Sequence, residues 1–272
     1  MGTDRKNKTG RCQEYLVNAE EEERFRNIAF NVIGRDVTRE GIGTLSEKTV
    51  HAVLKEFFKP DGGECEVKVE KHVADIKYGK EIIEIQSRSF GKLSGKLSVF
   101  LKKYHVTIVY PVAHKKTMRY VDPKTGEVQP PRRSSHTGNP YAIFKELVHI
   151  IPFLNEKNLS YKIALIDMEE YRLLDGYSKN RKKGATKSDK LPQSLYDIVE
   201  IKKAGDFKKF IPDGLEKEFT VKEFAKAAKI TGGLAQTVMQ ILYRTGCVDY
   251  AGKRGREYLY SVCHKKSRFS KP

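Results

Sequence analysis

The chain has 272 residues with 52 Lys and Arg against 35 Asp and Glu, a formal net charge of +17, so it can bury a proper core and expects a polyanionic partner, nucleic acid first. A membrane is not expected: there is no basic amphipathic helix or lipidation signal, the apolar runs are no longer than Leu147 to Leu154, and residues 1–12 are polar with no signal-peptide pattern. Cys12, Cys65, Cys247 and Cys263 form no CxxC pair and no Cys/His cluster, which argues against structural zinc and a disulfide framework and fits a reducing cytosol.

Residues 1–22 are polar and read as a flexible arm. Phe25, Ile28, Ala29 and Val32 share one side of an expected helix over 23–37, and Val50, Val53, Leu54 and Phe57 share one side of a clearer helix over 46–58. Lys59-Pro60-Asp61-Gly62-Gly63 stops it. A strand around Cys65, Val67 and Val69 follows, and then a hairpin: Val73-Ala74-Asp75-Ile76-Lys77-Tyr78, the turn Gly79-Lys80, and Glu81-Ile82-Ile83-Glu84-Ile85-Gln86. The two-residue turn pairs Tyr78 with Glu81, Ile76 with Ile83 and Asp75 with Glu84. Ala74, Ile76, Ile83 and Ile85 then read as core, with Asp75, Glu84 and Gln86 on the opposite face. Two carboxylates directly across a ladder repel, and a divalent cation is the usual reason to place them so.

A Ser/Gly/Lys-rich turn leads to an expected helix near 92–104, and His105 to Val112 reads as a buried strand. Residues 114–140 read as a basic loop or ribbon, 141–154 as a helix, 160–174 as two short strands, and 176–192 as a basic linker. Thr220-Val221-Lys222-Glu223 is a capping box opening one helix, and Leu234 to Thr245 forms a second, closed by Gly246. Two short strands lie around the turn 251–256, and 264–272 is a basic tail. Helix, turn, helix and a two-stranded ribbon with a basic tip resemble a winged helix-turn-helix domain, which sets a C-terminal domain at 193–263. Its expected DNA contacts are Gln236, Thr237, Gln240 and Arg244 on the second helix and Lys253, Arg254 and Arg256 at the tip.

Over roughly residues 41–112, a helix with an early Glu, a strand, a hairpin bearing Asp and then Glu-x-Gln, a helix and a β-branched strand resembles the PD-(D/E)XK nuclease superfamily. The resemblance implies a restriction-endonuclease-like α/β fold over 23–175, a mixed sheet flanked by helices. It implies Asp75, Glu84, Glu47 and the Ile85 carbonyl as ligands of Mg²⁺ or Mn²⁺, and Glu47, Asp75, Glu84 and Gln86 as the catalytic set. Gln86 stands where the family usually has Lys, so it would orient the attacking water but not act as a base. The literal Pro60-Asp61 pair lies in a turn before the strands and is a decoy. Ser87, Arg88, Lys92 and Lys96 follow the motif as expected phosphate contacts. The expected function is a metal-dependent DNA endonuclease on duplex DNA, cytoplasmic and nucleoid-associated if prokaryotic. One site per chain cuts one strand, so a double-strand break would need a homodimer or two binding events. Two alternatives stay open: an inactive DNA-binding regulator on the same fold, and an RNA-directed nuclease.

Overall fold

The computed structural model describes residues 17–40, 47–176 and 184–263, apart from the side chains of 35–40, 47–48 and 187–189. Helix α1 spans Ala19–Glu40, starting four residues before the expected helix. Asn18 and Glu21 cap each other reciprocally, Asn18 Oδ1 accepting from the Glu21 N–H at 2.8 Å and Glu21 Oε2 from the Asn18 N–H at 3.1 Å. Helix α2 spans Glu47–Phe58 and buries Val50, Val53, Leu54 and Phe57 as its spacing predicts.

A large mixed sheet carries the site. Strands β1 (Glu64–Val69), β2 (His72–Tyr78) and β3 (Glu81–Ile85) form an antiparallel meander, with the expected Tyr78–Glu81 and Ile76–Ile83 pairs around Gly79-Lys80. Next to β3 lie β4 (His105–Val121) and then β6 (Leu159–Leu173), both parallel to it, and β7 (Thr186–Ile201) runs antiparallel at the far edge. The short β5 (Arg132–Arg133) pairs with the upper end of β4, which makes part of the basic 114–140 segment a ribbon.

Both faces of this sheet are covered by helices. Ile85, Val109, Ala164, Ile166, Leu195 and Ile198 pack against Phe25 and Ala29 of α1 and the apolar stripe of α2. Ile82, Val106, Ile108 and Ile163 pack on the other side against α3 (Ser94–Phe100), α4 (Phe144–Leu147) and the 3-10 turns around them. Strands buried on both faces need no polar alternation, which is why His105 to Val112 reads as one apolar run.

Four expectations change. The helix near 92–104 is a 3-10 turn, Phe90–Leu93, followed by the two-turn α3, because Gly91 and Gly95 weaken helical propagation. The 141–154 helix is a broken series of 3-10 and α turns, kinked at Ile150 ahead of Pro152. Residues 160–174 form one long strand, held in register by β4 on one side and β7 on the other. The 176–192 segment is not a linker throughout: from Thr186 it is the start of β7, whose ladder with β6 satisfies its backbone groups. The main sheet therefore runs to Ile201.

The C-terminal unit consists of β8 (Glu218–Thr220), α5 (Val221–Ala228), α6 (Gly232–Arg244), β9 (Val248–Arg254) and β10 (Glu257–Val262), with strand order β8-β10-β9. The capping box is present: the Thr220 hydroxyl accepts from the Glu223 N–H at 3.2 Å and the Glu223 carboxylate from the Thr220 N–H at 2.7 Å. Phe219, Phe224, Val238, Ile241 and Leu242 join the same buried cluster as Phe144, Leu147 and Phe207, so this unit is welded to the main body by a shared core. No helix among the described residues is long and apolar enough to cross a membrane.

Candidate active site at a strand fork

The hairpin ladder stops at Ile76–Ile83, one step short of the expected Asp75–Glu84 pair. Beyond that step β2 stays with β1 while β3 stays with β4, and the two strands diverge. The carboxylates brace the fork. Asp75 Oδ2 accepts from the Ile85 N–H at 2.8 Å, and Glu84 Oε1 accepts from the Asp75 N–H at 3.2 Å. Each acid thus replaces a missing ladder bond, which corrects the expected Asp75–Glu84 ladder pair, while the repulsion between the two carboxyls remains.

Each carboxylate also has a cation-capable neighbour. His51 of α2 brings Nε2 to 3.2 Å from Asp75 Oδ2, and Lys96 of α3 donates from Nζ to Glu84 Oε2 at 2.7 Å. The His51 and Ile85 donors overcome the burial that opposes ionisation and hold the Asp75 carboxyl below its ordinary value. Glu84 is 1% exposed. Its burial, reinforced by the Asp75 charge, pushes it up to about 7 in spite of Lys96. Two neighbouring carboxyls are thereby driven apart, one ionised across the physiological range and one poised at its middle.

The expected site residues fall into three groups. Asp75, Glu84 and the backbone of Ile85 meet at the fork. Glu47 begins α2, one turn before His51, but its side chain lies outside the described residues. Gln86 does not join the carboxylates; its Nε2 donates to the Arg88 carbonyl in the turn that follows, and its N–H continues the ladder to Val109. Lys96, expected at phosphates, is instead the partner of Glu84. Ser87 is half-buried, Arg88 and Lys92 are exposed, and Ser89 adopts a left-handed backbone (φ 61) that turns the chain sharply into Phe90. Sequence reasoning missed His51, whose signal was its place one helical turn after Glu47.

Two hard carboxylates with a neighbouring backbone carbonyl suit Mg²⁺ or Mn²⁺, since Mg²⁺ keeps several waters and uses one or two protein carboxylates. The His51 and Ile85 bonds to Asp75 both go to Oδ2. No group of three or more His, Cys, Asp or Glu that could hold a metal occurs among the described residues, so any third acidic ligand has to come from elsewhere. A cavity of about 500 Å³ lies away from the fork, between the start of α1 and the end of α2, lined by Arg24, Phe57, Lys162 and Glu200 among others. The fork has the chemistry and that cavity only the volume, so the fork is the candidate site.

Among the expected DNA contacts, Gln236, Gln240 and Arg244 form an exposed stripe on α6, whereas Thr237 is half-buried with its hydroxyl donating to the Gly233 carbonyl at 3.2 Å. At the β9–β10 tip Arg256 is exposed, Lys253 lies 5.0 Å over the Tyr258 ring, and Arg254 is engaged by Glu223 at 2.7 Å.

An uncharacterized protein of Treponema pallidum (strain Nichols) is 26% identical over 220 residues, spanning 80% of this chain and 86% of its own length. No solved structure matches the chain. A family model described as a domain of unknown function, DUF8091, matches residues 48–202, from the start of α2 past the end of β7. That span is more than half of the chain and contains the fork entire, and the chain belongs to this DUF8091 family.

Proposed function

We propose that the chain is a metal-dependent DNA endonuclease of the PD-(D/E)XK type, with a C-terminal winged helix-turn-helix unit that holds the substrate. The observation that supports this most is the fork itself. A buried Glu84 and an ionised Asp75 stand where an antiparallel hairpin diverges, between a preceding helix and a parallel β3–β4 pair. Burying a carboxyl to 1% exposure beside another carboxyl is costly, and a cation shared by the two acids would offset that cost.

Asp75, Glu84 and the Ile85 carbonyl would hold Mg²⁺ or Mn²⁺, with Glu47 as the added acid. When bound, the ion lowers the pKa of a coordinated water and screens charge building on the scissile phosphate. The chain's own residues set up the rest. His51 fixes the Asp75 carboxylate and helps to keep it ionised. Lys96 brings to Glu84, from α3, the positive charge that position 86 lacks. Glu84 holds a proton on the acidic side of about pH 7 and releases it on the alkaline side, so ion uptake is easiest at alkaline pH.

The Lys96–Glu84 ion pair also favours a second reading, a DNA-binding protein on the same fold in which lysine permanently neutralises the acid. Calorimetric titration with Mn²⁺ separates the two. A nuclease centre binds Mn²⁺ more tightly at pH 8 than at pH 6, releases protons at pH 6, and loses binding in Asp75→Asn and Glu84→Gln. Binding that is equal in parent and both variants, or absent from the parent, rejects the centre.

A further inference from the structure

The exposed face of α6 is not a bare ridge. It forms one wall of a cleft of about 370 Å³ whose opposite wall is β10. Gln236, Gln240, Tyr243 and Arg244 line the helix side, and Tyr258 and Tyr260 line the strand side. Beneath them Met239 and Val221 give the cleft an apolar floor.

Aromatics in the cleft and on the adjoining β9 are open to solvent. Tyr243, Tyr250 and Tyr258 are 39%, 50% and 53% exposed. Tyr250 and Tyr258 meet edge to face with ring centroids 5.7 Å apart, and the Lys253 ammonium sits 5.0 Å over the Tyr258 ring. Burial together with Tyr258, Tyr243 and Tyr250 pushes the Tyr260 phenol up, so the four tyrosines form one group. Acids are present too: Glu223 is engaged by Arg254, while Asp249 and Glu257 lie on the same two strands.

We infer that this cleft takes unstacked bases of a single-stranded nucleic acid, with the tyrosines as stacking faces, the two glutamine amides on base edges, and Arg244 and Lys253 on the backbone. Major-groove readout uses the hydrogen-bonding groups of an exposed helix face, whereas here solvent-open aromatic rings stand beside the Gln236, Gln240 and Arg244 stripe. Flat apolar faces beside amides and cations are what a splayed strand needs, because every base offers a π-face and a hydrogen-bonding edge. The net charge of +17 supplies the long-range attraction. The inference rests on the nuclease reading only for its choice of a nucleic acid. It sharpens that reading: the preferred substrate carries a single-stranded end, flap or junction beside the cleaved strand.

The test is equilibrium binding of the full chain, in EDTA so that nothing is cut, to a single-stranded oligonucleotide containing 2-aminopurine and to the blunt duplex of the same sequence. The single strand is expected to bind with quenched 2-aminopurine emission. Tyr258→Ala and Tyr243→Ala should each weaken it on the order of tenfold, and Tyr258→Phe should restore it because the ring remains. Both positions are exposed, and circular dichroism checks that the variants fold. Single-strand affinity unchanged in both alanine variants, or quenching absent from the parent, overturns the inference, and a surface that docks protein would give that result. Cleavage is scored separately with Mg²⁺. Stacking without cleavage would reject the nuclease reading and keep the cleft, and cleavage without stacking would do the reverse.

Discussion

The fork and the C-terminal cleft use polar groups in opposite ways. At the fork, Glu84 is buried and Asp75 half-buried, and four donors are committed to them: two backbone N–H groups, His51 and Lys96. At the cleft, tyrosines, glutamines and Arg244 are left facing solvent. Buried charge is costly unless something depends on it, and exposed aromatic surface is wasted unless something covers it. The first arrangement suits chemistry on a few atoms and the second suits grip along a polymer. Substitutions should therefore trade stability against activity at the fork and change only affinity at the cleft.

The largest stability effect should come from Lys96. Lys96→Met leaves the Glu84 carboxylate buried without its cation, a loss of about 3–5 kcal/mol when the acid is ionised. Urea unfolding at pH 8 should show it, and the loss should shrink at pH 5, where Glu84 carries a proton. A pH-independent loss would mean that Lys96 contributes packing alone.

Glu84 gives the next effect, with a definite sign. Its folded value is raised from 4.5 to about 7, so the native state holds the proton more tightly than the unfolded chain does. Its stabilising contribution is fully present below pH 4.5 and is lost as pH rises through 7, by about 3 kcal/mol across that window in the metal-free protein. Glu84→Gln should flatten that part of the stability profile, and a profile identical to the parent's would place the poised carboxyl elsewhere.

At the cleft the effect is smaller and of another kind. Arg244→Ala and Lys253→Ala should leave unfolding unchanged and each lower the salt slope of nucleic-acid binding by about 1. Arg254→Ala should do less, since Glu223 already engages that side chain. The smallest change is expected at Gln86, because its amide serves the Arg88 carbonyl and not the acids. Gln86→Ala should slow nicking less than Lys96→Ala does, and the reverse order would return Gln86 to the centre.

The hairpin was legible because period-two alternation and Gly79-Lys80 specify register locally, and α2 was legible because its apolar stripe is regular. The fork was not. Where a ladder ends depends on whether β2 follows β1 or β3, a tertiary competition that residues 73–86 do not encode. Lys96 looked like any basic residue on a helix, because the shortness of α3 and its seat on the sheet decide where that side chain ends. β7 was hidden for a similar reason: Lys190 and Pro192 read as a linker, and only the neighbouring β6 makes them a strand. The cleft tyrosines had no periodic signature, since they come from a helix and a hairpin brought together by the fold.

The central claim, that the fork is a cleavage centre, is tested most directly by plasmid nicking with parent and Asp75→Ala proteins in Mg²⁺, Mn²⁺ and EDTA. Asp75→Ala removes an ion ligand together with the brace on Ile85, so binding of the plasmid should persist while nicking falls by on the order of a thousandfold. The account predicts nicking by the parent in either metal, none in EDTA, and none by the variant. Equal nicking by parent and Asp75→Ala, or a folded parent that binds the plasmid and never cuts it in either metal, would contradict it.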